Sequence, residues 1–167
     1  MPNSVRQLYW DACVILAHIS GEANRFPNTL ALLDQADKGD IEIFTSELSV
    51  VEVAFATQEK ANGVLDPAVE AAIDGFWTLP SPVKRIDIHP MVTREARTIV
   101  RTAMATAGRG IRAADAIHIA SAKLLGVDEI QTYEELASRK RWAQLSGIAV
   151  EEPIAAQPML TPQNPPA

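Results

Sequence analysis

Four acidic side chains stand in apolar surroundings. Asp11 follows Leu8-Tyr9-Trp10, and Glu52 sits within Val50-Val51-Glu52-Val53. Asp115 lies in Ala113-Ala114-Asp115-Ala116-Ile117, and Glu134 follows Ile130-Gln131-Thr132-Tyr133. An ionised carboxylate taken out of water is strongly unfavourable unless it is paired, hydrogen-bonded or bound to a metal. Taken singly, each has an ordinary use. Asp11 and Asp115 are candidate helix caps, Glu52 could pair with Lys60, and Glu134 could be a first-turn acid favoured by the helix dipole. Brought to one place, the four would repel one another and raise one another's pKa, unless a cation stood among them. Carboxylate oxygens suit a hard divalent ion, Mg²⁺ or Mn²⁺. His18, His89, His118 and the single cysteine, Cys13, show no zinc-ligand spacing. A carboxylate-held Mg²⁺ activates water and stabilises in-line displacement at phosphorus.

The elements that must position these acids alternate. Short apolar runs at 7–10, 41–45, 83–88, 128–132 and 148–150 read as strands. Helix-period segments separate them, at 12–19, 29–38, 46–62, 66–78, 91–107, 112–125 and 134–145. Asp66-Pro67 is a cap followed by a first-position proline, and Gly39, Gly63 and Gly108 close helices. Strands separated by helices predict an α/β fold. The expected form is a three-layer α/β/α sandwich around a mainly parallel sheet of about five strands. Such sheets carry their sites beyond the carboxyl ends of the strands. Asp11 ends the first strand and Glu134 follows the fourth. Glu52 is expected about two turns into the helix after the second strand, and Asp115 in the first turn of its helix. Chain order thus allows all four at one end of the sheet.

Composition sets the outer limits. The chain fits one domain over residues 1–152, followed by a proline-rich tail over 153–167 expected to be disordered. One cysteine excludes an internal disulfide and suits a reducing compartment. No apolar run approaches the ~18–20 residues that span a bilayer, and no signal pattern opens the chain, so no membrane partner and a cytoplasmic address are expected. The net charge of −6 argues against a nucleic-acid partner, but residues 94–141 carry nine Lys/Arg against six Asp/Glu. Arg94, Arg97 and Arg101 share a helix face, and Arg109 and Arg112 border the glycine-containing loop just before Asp115. These arginines are candidate phosphate contacts, or else an ordinary solvated face. His118, one turn past Asp115, reads as a hydrogen-bonded core histidine. Lys123 faces either the site or solvent.

Four stretches carry a resemblance to the PIN-domain ribonucleases, and most closely to the VapC-type toxins of bacterial toxin–antitoxin pairs. They are Leu8-Tyr9-Trp10-Asp11, the run from Thr45 to Val53 around Glu52, the run from Arg112 to Ala122 around Asp115, and the run from Ile130 to Leu136 around Glu134. The resemblance spans about residues 7–150. It implies an endoribonuclease dependent on Mg²⁺ or Mn²⁺, an RNA substrate, a cognate antitoxin protein that blocks the site, and a homodimer. It assigns Asp11, Glu52 and Asp115 to the metal, with Glu134 completing the site and Thr132 contacting water or metal. It also points to Phe76-Trp77 and the apolar face of Leu30, Leu32 and Leu33 as an antitoxin groove, with core packing as the alternative. Two positions depart from the family pattern. Glu134 stands where Asp is usual, and Ala12 stands where a hydroxyl often follows the first aspartate. The alternatives are a solitary PIN-like RNA-processing nuclease and a catalytically weakened PIN-like binding module.

Overall fold

The computed structural model describes residues 5–155. Its strands are β1 (Arg6–Trp10), β2 (Ile41–Ser46), β3 (Val83–Ile86), β4 (Glu129–Gln131) and β5 (Ala149–Glu151). Its helices are α1 (Ala12–Ile19), α2 (Phe26–Asp37), α3 (Leu48–Glu52), α4 (Thr57–Asn62), α5 (Pro67–Trp77), α6 (Pro90–Ala107), α7 (Ala113–Leu125) and α8 (Leu136–Ser146). The sheet is parallel throughout, in the order β3-β2-β1-β4-β5.

The period-two alternation of β1 separates the two faces. Leu8 and Trp10 enter a core with α1 and α2, around Val14, Ile15 and Leu32. Tyr9 points the other way, into a core with α6, α7 and α8 around Ile99, Ile119 and Trp142. With both faces covered, β1 is apolar along most of its length, as a central parallel strand must be. The chain winds outward from β1 through β2 to β3, then crosses back to β4 and β5. The strand order therefore reverses between β1 and β4, and the ends of these two strands open the crevice that parallel sheets use for ligands.

Two differences from the expected elements bear on the site, while α2 starts three residues early and β3 ends two residues early. The helix foreseen over 46–62 is two short helices, because the backbone leaves helical geometry at Val53 (φ −90°, ψ 49°). A new start follows, held by Glu59, whose carboxylate accepts from the amides of Ala56 (3.0 Å) and Asp66 (2.7 Å). The run Val50-Val51-Glu52-Val53 is rich in β-branched residues, which favour helix weakly. Glu52 accordingly ends α3 rather than lying inside a longer helix. The last long helix starts at Leu136, so Glu134 lies in the loop before it. At the far end of the domain Pro153 and Ala155 are buried, and the Ala155 amide donates to Asn28 (3.3 Å). The rest of the proline-rich tail lies outside the described residues.

Candidate functional site

Asp11 is the N-cap of α1 and is 4% exposed. Its Oδ1 accepts from the Cys13 thiol (2.9 Å) and the Val14 amide (3.3 Å), and its Oδ2 accepts from the Thr132 hydroxyl (2.7 Å). Burial nevertheless pushes its pKa up, against those hydrogen bonds. An acid held in this way is stabilised by any positive charge brought beside it. Thr132 also accepts from the Glu134 amide (3.1 Å), so one hydroxyl ties the end of β1 to the loop after β4. The donors that Ala12 cannot supply come from Thr132 and Cys13. Burial and the adjacent Asp11 raise the Cys13 pKa, which keeps the sulfur a thiol and a donor.

Asp115 lies in the first turn of α7, where Arg112, the residue preceding the helix, grips it through two hydrogen bonds (2.9 and 3.1 Å). The same guanidinium donates to Glu134 (3.2 Å). A cation therefore already bridges two of the four acids. Its side chain is 71% exposed, so it is free to leave.

Glu52, at the end of α3, accepts from His118 Nε2 (2.6 Å). The other imidazole nitrogen, Nδ1, lies 2.9 Å from the Tyr9 hydroxyl. A carboxylate can only accept, so Nε2 carries the proton, Nδ1 accepts, and the phenol donates. Tyr9 is wholly buried, and burial pushes its pKa up, so it stays a phenol. A chain from β1 through α7 thus aims the Glu52 carboxylate.

The structure links Asp11 to the loop of Glu134 through Thr132, and Glu134 to Asp115 through Arg112, while Glu52 stands apart on His118. Among the described residues, no three His, Cys, Asp or Glu side chains converge on one point as they stand. Carboxylates brought close repel unless a cation stands among them, and Arg112 stands between Asp115 and Glu134. The donor chemistry, four carboxylates and the Thr132 hydroxyl, is all hard oxygen and fits Mg²⁺ or Mn²⁺.

Of the arginines foreseen as phosphate contacts, Arg112 faces the acids and Arg109 faces a cavity beside α8. Arg94 and Arg97 are exposed along α6. Lys123 turns away to Glu95 on α6 (2.6 Å). Leu32 and Leu33 are core rather than groove, whereas Phe76 and Trp77 pack against the same cluster but stay partly exposed, and Phe76 lines a cavity with His18 and Phe26. Leu30 alone of that set is half exposed. Sequence reasoning did not foresee Tyr9, or His118 as the partner of Glu52. The signal was there in part: a histidine one turn after Asp115 on an otherwise apolar face needs a buried polar partner.

The family model for the PIN domain matches residues 8–143. None of the curated proteins matches the sequence significantly. Among solved structures, FitAcB from Neisseria gonorrhoeae is 17% identical with a TM-score of 0.59, covering 87% of this chain and 97% of that one. VapBC2 from Rickettsia felis, bound to a DNA fragment from its promoter, is 16% identical with a TM-score of 0.62, covering 87% of this chain and 98% of that one. The sarcin-ricin loop cleaving toxin VapC20 from Mycobacterium tuberculosis is 14% identical with a TM-score of 0.56, covering 78% of this chain and 92% of that one.

Proposed function

Because the chain belongs to the PIN domain family, we propose that it is an endoribonuclease dependent on Mg²⁺ or Mn²⁺ and the toxin of a toxin–antitoxin pair. The observation that carries the reading is the placement of Asp11, Asp115 and Glu134 at the sheet's topological switch, with Glu52 aimed from α3. Asp11, Glu52 and Asp115 would hold the ion, and Glu134 would complete its shell. The bound ion would supply water activation and charge stabilisation at the scissile phosphate.

The chain's own residues do the rest. Thr132 and Cys13 fix both oxygens of Asp11. His118, backed by Tyr9, fixes Glu52. Arg112 neutralises Asp115 and Glu134 in the absence of an ion, and once released it is placed to meet a phosphate oxygen. The toxin reading is supported by the VapBC2 and VapC20 neighbours. An antitoxin protein would find apolar side chains to cover in Val51, Phe55, Val64 and Leu65, all exposed around α3 and α4. No helix among the described residues is long and apolar enough to cross a membrane.

The direct test is incubation of the purified protein with total cellular RNA, with cut sites mapped. Discrete cleavage in Mg²⁺ or Mn²⁺ that stops on addition of a chelator is the expected result. Undiminished cleavage in chelator would refute metal dependence, and intact RNA in both ions would refute the nuclease.

Arg112 gives a second measurement. Removing its charge with Arg112→Ala is expected to tighten Mn²⁺ binding, read by calorimetry, by about fivefold. That corresponds to the roughly 1 kcal/mol between unit charges at 4 Å in water. Weaker Mn²⁺ binding in the variant would mean that the arginine organises the acids rather than competing for them.

A further inference from the structure

A cavity of about 350 Å³ lies between the C-terminal half of α6 and α8, lined by Thr102, Thr106, Arg109, Lys140, Arg141 and Gln144 among others. Among the described residues, no carboxylate lines it. Three neighbouring cations are engaged, Arg112 with Asp115 and Glu134, Lys123 with Glu95, and Arg139 with Glu151 and Glu152, while Arg94, Arg97 and Arg101 on α6 do not line the cavity. Among the described residues, Arg109, Lys140 and Arg141 have no carboxylate within ion-pair reach.

Arg141 is held by neutral acceptors. Its guanidinium donates to the carbonyls of Gly110 (3.1 Å), Ala103 (3.3 Å) and Arg109. These contacts fix its position without cancelling its charge. They also brace the loop that leads to Arg112 and Asp115. In a chain of net charge −6, three uncancelled cations around one polar cavity form a local site for an anion.

The position of the cavity selects the kind of anion. Its α8 wall begins two residues after Glu134, and Lys140 lies about 6 Å along that helix from its first residue. Its other wall, at Arg109, lies three residues before Arg112. Both walls therefore run back to the acidic cluster over short lengths of chain. No aromatic side chain among the described residues lines the cavity to stack a base. Hydroxyls on Thr102 and Thr106 and the Gln144 amide are suited to sugar hydroxyls.

We propose that this cavity is a second landing site for the RNA backbone, taking a phosphodiester a few nucleotides from the one at the acidic cluster. The proposal rests on the nuclease reading for RNA as the ligand. It commits to the phosphate of a polymer rather than free phosphate.

The test uses full-length protein carrying Asp11→Asn, with chelator present, so that cleavage is suppressed while RNA binding is measured. Arg109→Ala and Lys140→Ala are added together; Arg141 is left in place because it braces the loop. Affinity for a labelled single-stranded RNA is measured across a salt series, and inorganic phosphate is titrated by calorimetry. Thermal melts establish that the variants fold. The expected result is a loss of about fivefold in RNA affinity or more, as for one unit-charge contact in water. The salt slope is expected to fall by about 0.7 for each phosphate that the variant no longer neutralises. Inorganic phosphate is expected to bind far more weakly than RNA. Unchanged affinity and slope would overturn the proposal, as would absence of RNA binding by the parent protein, or phosphate binding as tight as RNA. Normal cleavage by the unmodified protein alongside unchanged binding by the variants would sink this site and spare the nuclease. RNA binding through the cavity without cleavage in Mg²⁺ or Mn²⁺ would do the reverse.

Discussion

Asp11→Asn is expected to lower RNA cleavage by about a hundredfold or more and at the same time to stabilise the metal-free protein. The first effect follows from losing a charged oxygen donor. Even partners that only orient a ligand typically cost ~10–100-fold in metal affinity or activity. The second follows from burial. The Asp11 pKa is raised in the fold, chiefly by desolvation. A raised carboxyl pKa means that the folded state binds the proton more tightly than the unfolded chain. The ionised group therefore costs stability above its folded pKa, and the cost is relieved as pH falls through that value. Asn is neutral at every pH and keeps a carbonyl oxygen for Val14 and Cys13. The Asp11→Asn protein is expected to melt higher than wild type at neutral pH without metal, and to lose part of the wild type's gain on mild acidification. Saturating Mn²⁺ reverses the order, since an ion at 100 times its Kd adds about 2.7 kcal/mol to a protein that binds it. Asp115→Asn is expected to lose cleavage similarly. A lower melting temperature for metal-free Asp11→Asn would overturn the burial cost, and undiminished cleavage by both variants would remove Asp11 and Asp115 from the ion's ligands.

His118→Ala is the second large effect. The substitution leaves the Glu52 carboxylate and the Tyr9 hydroxyl without their partner and opens a cavity beside the Tyr9 ring, 5.9 Å from the imidazole. A buried group left unsatisfied costs about 1–3 kcal/mol. The lost aim of Glu52 is expected to weaken Mn²⁺ binding by about 10–100-fold. His118→Gln, which restores a donor toward Glu52, separates the two consequences. Rescue of Mn²⁺ affinity with only partial recovery of stability identifies His118 as a positioning residue for Glu52. Equal losses of stability and no loss of Mn²⁺ affinity in both variants would leave it a packing residue.

Much of the domain was already written in the local pattern. Asp11, Glu52, Asp115 and Glu134 are recognisable because acids inside apolar runs conflict with burial. The alternation of strand and helix required a parallel sheet with covered faces. Caps such as Asp66 before Pro67 are local and held to within a residue. The helix over 46–62 was misjudged because its break at Val53 depends on Glu59 reaching back to Ala56 and forward to Asp66. Ala56 lacks the hydroxyl or carboxamide that marks a helix start, so Glu59 alone carries that signal.

The sequence by itself determined the parallel sheet with both faces covered, and it singled out the four acids as candidates. These follow from hydrophobic periodicity and the cost of burying charge, which each residue carries with it. Only the tertiary structure decided what each acid touches. Thr132 and Cys13 hold Asp11, Tyr9 and His118 hold Glu52, and Arg112 joins Asp115 to Glu134. Several of these partners are far apart in the chain, His118 and Glu52 by 66 residues and Thr132 and Asp11 by 121. Their pairing depends on strand order and helix packing, which bring together groups that no local pattern relates.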